Sequence, residues 1–309
     1  MAKGKEDIQA FWGDTARQWY VEHDKTFTPE SLDRELDEVE RFFEKRGQLA
    51  CVEMPADIKG RSVLEIGSGG GSHSALFKRQ GANVTAVDIT PERVASTALK
   101  LALVEEGTGK TMQADAEHLP FEEGTFDIVY SNGVLHHSAD TEQCIREVYR
   151  VLKPGGRAIL MLYARHSTQY WLNVVPKALV TGRMFRMPEA EWVGWLTEGK
   201  PHFGTTRNPF TRVYSARELR ELLHAFTDVK LRKNSFRLDY FAIPRAARVR
   251  NALLQLFGVK ISPASQILYG SPVAEDSRLE LALSPLLGWC WNISASKATS
   301  PGPGLSRRE

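Results

Sequence analysis

The stretch Ser62-Val63-Leu64-Glu65-Ile66-Gly67-Ser68-Gly69-Gly70-Gly71-Ser72 decides the fold of this chain of 309 residues. Val63, Leu64 and Ile66 are apolar, which is typical of a strand buried on both faces. Four glycines among the next five residues then end the strand, because glycine accepts positive φ angles and places no side chain between the backbone and a ligand. We interpret the stretch as a strand, a glycine-rich turn and a helix start, whose backbone N–H groups favour a polar or anionic ligand group.

Strand and helix patterns alternate at short intervals around this stretch, over residues 60–164. Strands are predicted at residues 63–66, 84–87, 110–114, 126–130 and 158–163, with two more near 229–234 and 289–296. This alternation predicts an α/β fold with a doubly wound sheet of seven strands and helices on both faces. Ligands bind such sheets beyond the C-terminal strand ends. The polar residues at those ends are Glu65, Asp88, Asp115 and Ser131.

The spacing of the glycines separates two classes of nucleotide cofactor. Gly67 and Gly69 fit the first positions of the dinucleotide pattern G-x-G-x-x-G, but Ser72 stands where the third glycine is required. This departure disfavours a NAD-dependent oxidoreductase. Asp88 lies about twenty residues beyond the first glycines, a distance at which a carboxylate reaches ribose hydroxyls.

The pattern Glu65-x-Gly67-x-Gly69-x-Gly71 resembles motif I of the class I S-adenosylmethionine (SAM) dependent methyltransferases. Residues 60–164 also resemble the ubiquinone/menaquinone C-methyltransferase family of small-molecule methyltransferases (methyltransferase type 11). The matching phrases are Val63-Leu64-Glu65-Ile66-Gly67, Val87-Asp88, Asp115-Ala116-Glu117-x-Leu119-Pro120-Phe121, Phe126-Asp127-x-Val129, Val134-Leu135-His136-His137 and Glu147-x-x-Arg150-Val151-Leu152-Lys153-Pro154-Gly155-Gly156. The resemblance implies a Rossmann-like sheet and SAM as cofactor, and it says little about the methyl acceptor.

The resemblance also implies a role for each matching position. The turn residues Gly67, Ser68, Gly69 and Gly71, together with Glu65, would contact the methionine part of SAM. Other implied roles are Asp88 on the ribose, Ile89 on the adenine ring, and Asp115 and Ala116 on the adenine nitrogens. Ser131 and Asn132 would lie near the reacting methyl group, and Glu117 is also expected at the cofactor site. Tyr20 would cover the cofactor from the N-terminal helix.

Methyl transfer to an O–H, N–H or acidic C–H group requires loss of a proton, for which histidine is suited near neutral pH. The candidates for a general base are His136 and His137, which follow the fourth strand. Adjacent residues point to different sides, so at most one of the two is expected to face a substrate. His166 and Tyr163, and then His23 and His202, are weaker candidates. No metal ion is required.

The acceptor is expected to be a small, partly apolar biosynthetic molecule. The reason is that the segments inserted after the fifth and sixth predicted strands are aromatic and carry little net basic charge. Ser131-Asn132-Gly133-Val134 departs from the Asn/Asp-Pro-Pro-Tyr/Phe motif of adenine-N6 nucleic-acid methyltransferases. The sequence does not separate C-, O- and N-methylation. Two alternatives are a SAM-binding protein without methyl transfer, acting as a regulator or a SAM-assisted cyclase or isomerase, and a tRNA or protein methyltransferase.

The expected domain organisation places the SAM-binding core at residues 59–164. Residues 1–58 are expected to form a helical lid that carries Trp12 and Tyr20, and residues 165–296 to combine insertions after strands five and six with the remaining strands. A basic amphipathic helix is predicted at 246–257. Its basic face is interpreted either as a contact with a membrane surface or an anionic substrate, or as an ordinary face exposed to solvent. Residues 297–309 are rich in serine, proline and glycine and are expected to be disordered.

Composition sets the broader limits. The formal net charge is +2 and apolar residues make up 42% of the chain, which fits a globular protein without a dedicated nucleic-acid surface. Three scattered cysteines, with no metal-ligand spacing, are expected to be reduced thiols in a cytoplasmic protein. The chain has no apolar run near the ~20 residues of a membrane span. A monomer or a homodimer is expected.

Overall fold

The computed structural model describes residues 5–22, 26–47, 49–197, 208–237, 249, 252–253, 255–256, 261–265, 271–274 and 276–299. Its strands are β1 Ser62–Ile66, β2 Asn83–Asp88, β3 Thr108–Gln113, β4 Phe126–Asn132, β5 Leu152–Ala164, β6 Val213–Tyr214, β7 Thr227–Asn234, β8 Ile261–Ser265, β9 Ser271–Ala274 and β10 Cys290–Ser296. Its α-helices are α1 Lys5–Glu22, α2 Pro29–Arg46, α3 Ser72–Arg79, α4 Pro91–Ala102, α5 Thr141–Val151, α6 Val175–Val180, α7 Glu189–Thr197, α8 Ala216–Leu222 and α9 Arg278–Leu287.

The main sheet has the strand order β3-β2-β1-β4-β5-β10-β7. The first five strands of this order are parallel, whereas β10 runs antiparallel to both β5 and β7. The two-residue strand β6 pairs with the end of β5 and adds an eighth member. The doubly wound, Rossmann-like sheet of seven strands predicted from the sequence is confirmed.

The central strands are buried on both faces, as their continuous apolar sequences predict. In β1, Val63 packs with Phe77 of α3 on one face, while Leu64 packs with Val148 of α5 on the other. Successive side chains of a strand point to opposite faces, so a strand with apolar residues at neighbouring positions needs a helical layer on each side. The turn after β1 is thereby fixed between two layers.

The edge strand β3 differs from its prediction. It begins at Thr108 and ends at Gln113, in register with β2 from Asn83 to Asp88. Its side chains are mostly exposed, so its sequence lacks the apolar run that marked the other strands. Asp115 consequently lies past the strand end, in a turn where its carbonyl accepts from the His118 N–H at 3.0 Å.

Strand β5 and helix α8 also differ from their predictions. The predicted turn at residues 153–156 is an irregularity inside β5, because Phe126 of β4 pairs with Leu152 and Ile128 pairs with Arg157. Helix α8 opens at Ser215 with the predicted capping box, but it ends at Leu222 instead of near Phe226.

The N-terminal helices pack beside the core at the end of the sheet that carries the glycine turn. Leu32, Leu36 and Val39 of α2 are buried against Leu76 of α3. Helix α1 lies against α4, where the Arg17 guanidinium is 3.2 Å from the Glu92 carboxylate. Its role as a movable lid stays a prediction.

The two insertions contain the other short elements. After β5, a π-helical turn Tyr170–Val174, α6, a 3-10 turn Arg183–Phe185 and α7 enclose an apolar cluster that includes Trp192 and Trp289. The second insertion contains the β8–β9 hairpin and α9. Most of the predicted basic helix at 246–257 lies outside the described residues. Lys297, which was assigned to the tail, exchanges backbone hydrogen bonds of 2.9 Å with Gly155 and Gly156.

Candidate functional site

The C-terminal ends of β1, β2 and β4 open into one cleft, which α1 borders on one side. Most of the residues predicted to bind the cofactor line this cleft: Glu65, Gly67, Ser68, Gly69, Asp88, Ile89, Asp115, Ala116, Glu117 and Asn132. Three residues of α1 also line it: Lys5, Ile8 and Trp12. Polar groups that are far apart in sequence therefore face a common space.

The glycine turn requires glycine at two of its positions. Gly67 has a φ of +74°, and a Cβ there would lie 2.3 Å from the Val134 side chain. Gly71 has a φ of +83°, and its Cβ would lie 2.7 Å from the Thr97 backbone. The turn is held between neighbouring elements, because the Gly67 N–H donates to the Val87 carbonyl at 2.7 Å. Its backbone can approach a ligand closely, as the sequence predicts.

Asp88 is a buried acid that lines the cleft. Its carboxylate accepts from the Gly69 N–H at 3.1 Å and from the N–H and hydroxyl of Thr90, each at 3.0 Å. Burial raises the pKa of Asp88, while the hydrogen bonds from Thr90 and Gly69 and the nearby Arg93 oppose the rise. A carboxylate fixed in this way can accept further hydrogen bonds from ligand hydroxyls.

Glu65 is a second buried acid, at the end of β1. The Ser74 hydroxyl donates to its carboxylate, and His73 Nδ1 lies 3.7 Å from its other oxygen. These contacts hold the side chain in one orientation at the edge of the glycine turn. Its position agrees with the predicted contact to the methionine part of SAM, which stays a prediction.

Two acids past β3 are paired with a lysine of α1. Lys5 Nζ lies 2.5 Å from Asp115 Oδ2 and 2.9 Å from Glu117 Oε2. Burial raises the pKa of Glu117, but hydrogen bonds from Ser138, Lys5 and the Asp140 N–H outweigh it and hold that pKa below its usual value. Asp115, Glu117 and His118 have ligand atoms within 4.8 Å of one another. The Lys5 ammonium already supplies a positive charge to this cluster.

Some predicted cofactor residues do not face the cleft. Gly71 packs against α4, and the Ser131 hydroxyl donates to the Ile66 carbonyl at 2.9 Å, which ties β4 to β1. Asn132 lines the cleft and accepts from the Ala50 N–H at 3.4 Å. Tyr20 lies in α1, but its side chain is outside those that the structure describes.

The two adjacent histidines are separated as their sequence predicts. His136 is fully buried, and among the described residues neither of its ring nitrogens has a hydrogen-bond partner. Burial lowers the pKa of His136 well below its usual value, with a smaller contribution from His137. His137 lines the cleft, and its ring centroid is 5.2 Å from that of Trp12. Only His137 is therefore placed to meet a substrate.

Of the weaker candidates, Tyr163 packs beside His136, with ring centroids 4.0 Å apart. His166 is absent from the cleft lining, although its carbonyl accepts from Lys233 Nζ at 2.7 Å. His23 and His202 lie outside the described residues. The described part of the chain thus favours His137 over the other candidates.

Sequence reasoning missed two cationic residues of α4. Arg93 and Lys100 are buried and line the cleft, with Thr97 between them on the same helix face. Lys100 Nζ lies 2.7 Å from the Glu35 carboxylate of α2, and both side chains are almost fully buried. The sequence did contain a sign of this position. Arg93 and Lys100 are seven residues apart, which puts both charges on the helix face that also carries the apolar Leu101.

The residues present fit a nucleoside cofactor of the SAM type. A Cβ at Gly69 would meet no atom within 4 Å, so the turn leaves open space beside the Asp88 carboxylate. Acceptors at the ends of three neighbouring strands suit ribose hydroxyls and an adenine amino group, and Ile89 offers an apolar contact. The fit rests on the turn and the strand ends together.

Comparison with known proteins agrees with this geometry. A family described as "Methyltransferase domain" matches residues 64–160. The ubiquinone biosynthesis O-methyltransferase of Pseudomonas aeruginosa is 32% identical over 177 residues, which are 52% of this chain and 74% of that protein. The ubiquinone/menaquinone biosynthesis C-methyltransferase of Haemophilus ducreyi is 34% identical over 131 residues, covering 38% of this chain and 51% of that protein.

Solved structures share the fold at lower identity. The putative methyltransferase of Haloferax volcanii, solved with the Trm112 methyltransferase activator, has a TM-score of 0.53 at 16% identity, covering 92% of this chain and 97% of that chain. The phosphoethanolamine N-methyltransferase 2 of Haemonchus contortus, solved with phosphomonomethylethanolamine and S-adenosylhomocysteine, has a TM-score of 0.51 at 20% identity, covering 95% and 60%.

The chain belongs to the class I SAM-dependent methyltransferases. Within that class it is of the ubiquinone-methyltransferase type. It is an enzyme of small-molecule biosynthesis with SAM as cofactor, as the sequence predicts. The relatives named here give no support to a SAM-binding protein without transfer activity. No helix within the described residues is long and apolar enough to cross a membrane.

Proposed function

We propose that the cleft binds SAM with the ribose on Asp88, the adenine ring beside Ile89, Asp115 and Ala116, and the methionine part along residues 65–69. The observation that carries this assignment is the Asp88 carboxylate, which is fixed by Gly69 and Thr90 beside an open glycine turn. Bound SAM supplies an electrophilic methyl group on a sulfonium sulfur. The residues of the chain orient the reactants, and Trp12 and Ile8 of α1 exclude water from the cleft.

We propose that the methyl acceptor is a small molecule with an apolar body, bound where Trp12, Val134 and His137 line the cleft. Apolar and aromatic side chains with a few fixed polar groups are typical of small-molecule sites. The names of the relatives add support, since both are methyltransferases of quinone biosynthesis. His137 is the polar group of this end that meets the acceptor.

The first experiment separates cofactor binding from transfer. Calorimetry with SAM measures binding directly, and incubation with methyl-labelled SAM and a panel of phenols, quinols, enols and amines then measures transfer. We expect SAM to bind and an acceptor with an apolar body to become labelled. Binding of neither SAM nor S-adenosylhomocysteine would contradict the site assignment, whereas SAM binding with label only on acceptors that lack an apolar body would contradict the acceptor assignment.

Location and assembly are also proposals. We propose that the protein acts in the cytoplasm as a monomer or a homodimer. The three cysteines, Cys51, Cys144 and Cys290, are free and buried, which fits a reducing compartment. Light scattering after gel filtration distinguishes monomer from dimer. Vesicle sedimentation tests peripheral contact with a membrane by the region of the predicted basic helix.

A further inference from the structure

The ring of His137 is held by residues that lie more than seventy positions away in the sequence. Its Nδ1 atom is 2.9 Å from Asn208 Nδ2, 3.0 Å from Thr211 Oγ1 and 3.3 Å from the Phe210 carbonyl oxygen. His137, Asn208 and Thr211 are all buried. These contacts all involve Nδ1, and the His137 side chain also lines the cleft, so a hydrogen bond from this ring to a molecule in the cleft would come from Nε2.

The segment that carries Asn208 is held by two neighbouring parts of the structure, the loop after β4 and helix α7. The Arg212 N–H donates to the His136 carbonyl at 2.9 Å, and the Thr211 N–H donates to the Ala190 carbonyl of α7 at 2.8 Å. The Arg212 guanidinium also donates to the Ala139 carbonyl at 2.6 Å. These contacts join the insertion after β5 to the loop after β4, so the amide of Asn208 has a defined place beside His137.

The orientation of the Asn208 amide follows from its other contacts. Its Oδ1 accepts from the Phe210 N–H at 3.3 Å, and its Nδ2 donates to Thr211 Oγ1 at 3.2 Å. In the flipped orientation the NH₂ group of Asn208 would face the Phe210 N–H. Two hydrogen-bond donors would then face each other in a buried environment, which is unfavourable. The oriented amide therefore presents an N–H donor to Nδ1 of His137.

A donor at Nδ1 decides which nitrogen of the neutral imidazole carries the proton. Nδ1 must then offer its lone pair, so the proton resides on Nε2. The Thr211 hydroxyl can donate to the same lone pair, whereas the longer contact to the Phe210 carbonyl favours the other tautomer. The shortest contact comes from a group that can only donate, which gives the Nε2–H tautomer the advantage.

We propose that Asn208 is a positioning residue that keeps the proton of His137 on Nε2, so that His137 donates a hydrogen bond to the methyl acceptor. This inference rests on the proposed function, because it assumes that the acceptor binds beside His137. An Nε2–H group cannot remove a proton, but it stabilises negative charge on an oxygen. The acceptor therefore has an acidic O–H group, such as a phenol or an enol, which gives its proton to bulk water before it binds and is then held in the cleft as the oxyanion.

The chemical class follows from this assignment. An oxyanion is the nucleophile in O-methylation, and it activates the adjacent carbon in C-methylation of a phenol or an enol. A protonated amine would need a base in place of a donor. The inference thus favours O–H-bearing acceptors over amines without choosing between oxygen and carbon as the methylated atom.

The tautomer itself is measured by long-range ¹⁵N–¹H correlation spectra of protein labelled with ¹⁵N-histidine. His137 is identified as the signal that disappears in His137→Gln. We expect the Nε2–H pattern in the wild type and a shift towards Nδ1–H in Asn208→Leu. Thr211→Val is the matched control, which removes a neighbouring hydroxyl, keeps the amide donor and should retain the Nε2–H pattern. An Nδ1–H pattern in the wild type would overturn the proposal.

Activity gives the second readout, with variants that leave Asn208 in place. Glutamine can place an N–H donor where Nε2 lies but cannot act as a base at neutral pH, whereas the shorter asparagine cannot reach that point. We expect kcat of His137→Gln to stay within about tenfold of wild type and that of His137→Asn to fall about 100-fold or more. Equal losses in both variants would contradict the donor role.

Binding of SAM keeps this test separate from the proposed function. The dissociation constant for SAM should be unchanged in Asn208→Leu, His137→Gln and His137→Asn. If the wild type failed to bind SAM, the site assignment would fall while the tautomer measurement would still stand. If SAM bound and the wild-type tautomer were Nδ1–H, only the role of Asn208 would be refuted.

Discussion

The proposed cofactor end of the cleft, around Gly69 and Asp88, and the proposed acceptor end, around Trp12 and His137, are built in two different ways. At the cofactor end, Asp88 is held by Gly69 and Thr90, and all three lie within about twenty residues of one another. At the acceptor end, His137 is held by Asn208 and Thr211 from a separate insertion. The first end belongs to the sheet itself, whereas the second depends on how an insertion packs against the sheet.

Because of this difference, substitutions at the two ends should affect different properties of the protein. The turn and the strand ends are part of the parallel sheet, so their substitution affects stability and SAM affinity together. The segment of the insertion around Asn208 contacts the loop after β4, so a substitution there can change the acceptor without disturbing the parallel sheet. The comparison therefore predicts that SAM affinity responds to the cofactor end and turnover responds to the acceptor end.

The largest effect is expected from Gly71→Ala, which tests how tightly the cofactor end is packed. The left-handed backbone costs about 1–2 kcal/mol with a side chain, and the contact with the Thr97 backbone adds about 1–3 kcal/mol. Denaturant unfolding should show the summed loss of stability. Gly69→Ala is the matched control: its φ is +55°, but its Cβ meets nothing within 4 Å, so only the backbone cost applies. Equal losses would contradict the packing argument.

The pH dependence of stability tests the buried histidine at the acceptor end. Burial keeps the pKa of His136 well below 6.5, so below pH 6.5 the unfolded chain binds a proton that the folded protein excludes. Stability should therefore fall with decreasing pH, by up to about 1.4 kcal/mol per pH unit from this residue. His136→Phe should flatten that slope and leave SAM affinity unchanged. The exposed His224→Phe serves as control, and an identical slope in both variants would refute the assignment.

Asp88→Ala tests the ribose contact at the cofactor end. Loss of one charge-assisted hydrogen bond should raise the Kd for SAM about tenfold, or about 1.4 kcal/mol, as measured by calorimetry. Asp127→Ala is the matched control: Asp127 accepts from the Ser62 N–H at 2.8 Å and from Lys153 at 2.9 Å, away from the cleft lining. Its variant should lose stability but keep SAM affinity. An unchanged Kd in Asp88→Ala would rule out the ribose assignment.

The smallest effect is expected from Lys5→Met, which loosens α1 over the cofactor end. A partly exposed ion pair contributes about 0.2–1 kcal/mol, which corresponds to roughly 1.4- to 5-fold faster amide exchange in α1. Arg61→Met, which removes an exposed pair with Asp57, should leave exchange in α1 unchanged. If α1 exchanged equally in the wild type and Lys5→Met, the pair would have no role in holding the helix.

The stabilising effect of the contact between Lys5 and its acidic partners should be limited to a defined pH range. The pKa of Glu117 lies below its usual 4.5, so its contribution is present above pH 4.5 and is lost as the pH falls through the lower, folded value. Burial lowers the pKa of Lys5, but bonding to Asp115 and Glu117 more than offsets this and keeps that pKa above 10.5. The lysine's contribution is therefore present below pH 10.5 and lost as the pH rises further. The difference in exchange should persist between these limits.

The fold was largely predictable because its signals are local. The apolar residues of β1, the glycines after it and the acids at the ends of β1 and β2 mark the centre of the sheet within thirty residues of sequence. The errors fell where the local signal is weak. Edge strand β3 has polar, exposed residues, and the irregularity at residues 153–156 in β5 has the composition of a turn.

The lining of the cleft was predictable for the same reason, since ten of the positions predicted to bind the cofactor lie along it, and their contacts with SAM stay a prediction. Lys5, Arg93 and Lys100 were missed, because a charged residue on a predicted helix looks solvated until the helix is packed. Which of the two adjacent histidines faces the cleft was also undecided. Only packing showed that His136 lies beneath the surface and that His137 lies beside Trp12.

The sequence by itself determined the α/β class, the glycine turn and the cofactor, because these depend on residues that are near one another along the chain. The tertiary structure decided the acceptor end, where Asn208 and Thr211 reach His137 across more than seventy residues. Hydrogen-bond direction at a histidine depends on the groups that surround its ring, and no pattern along the chain encodes that arrangement.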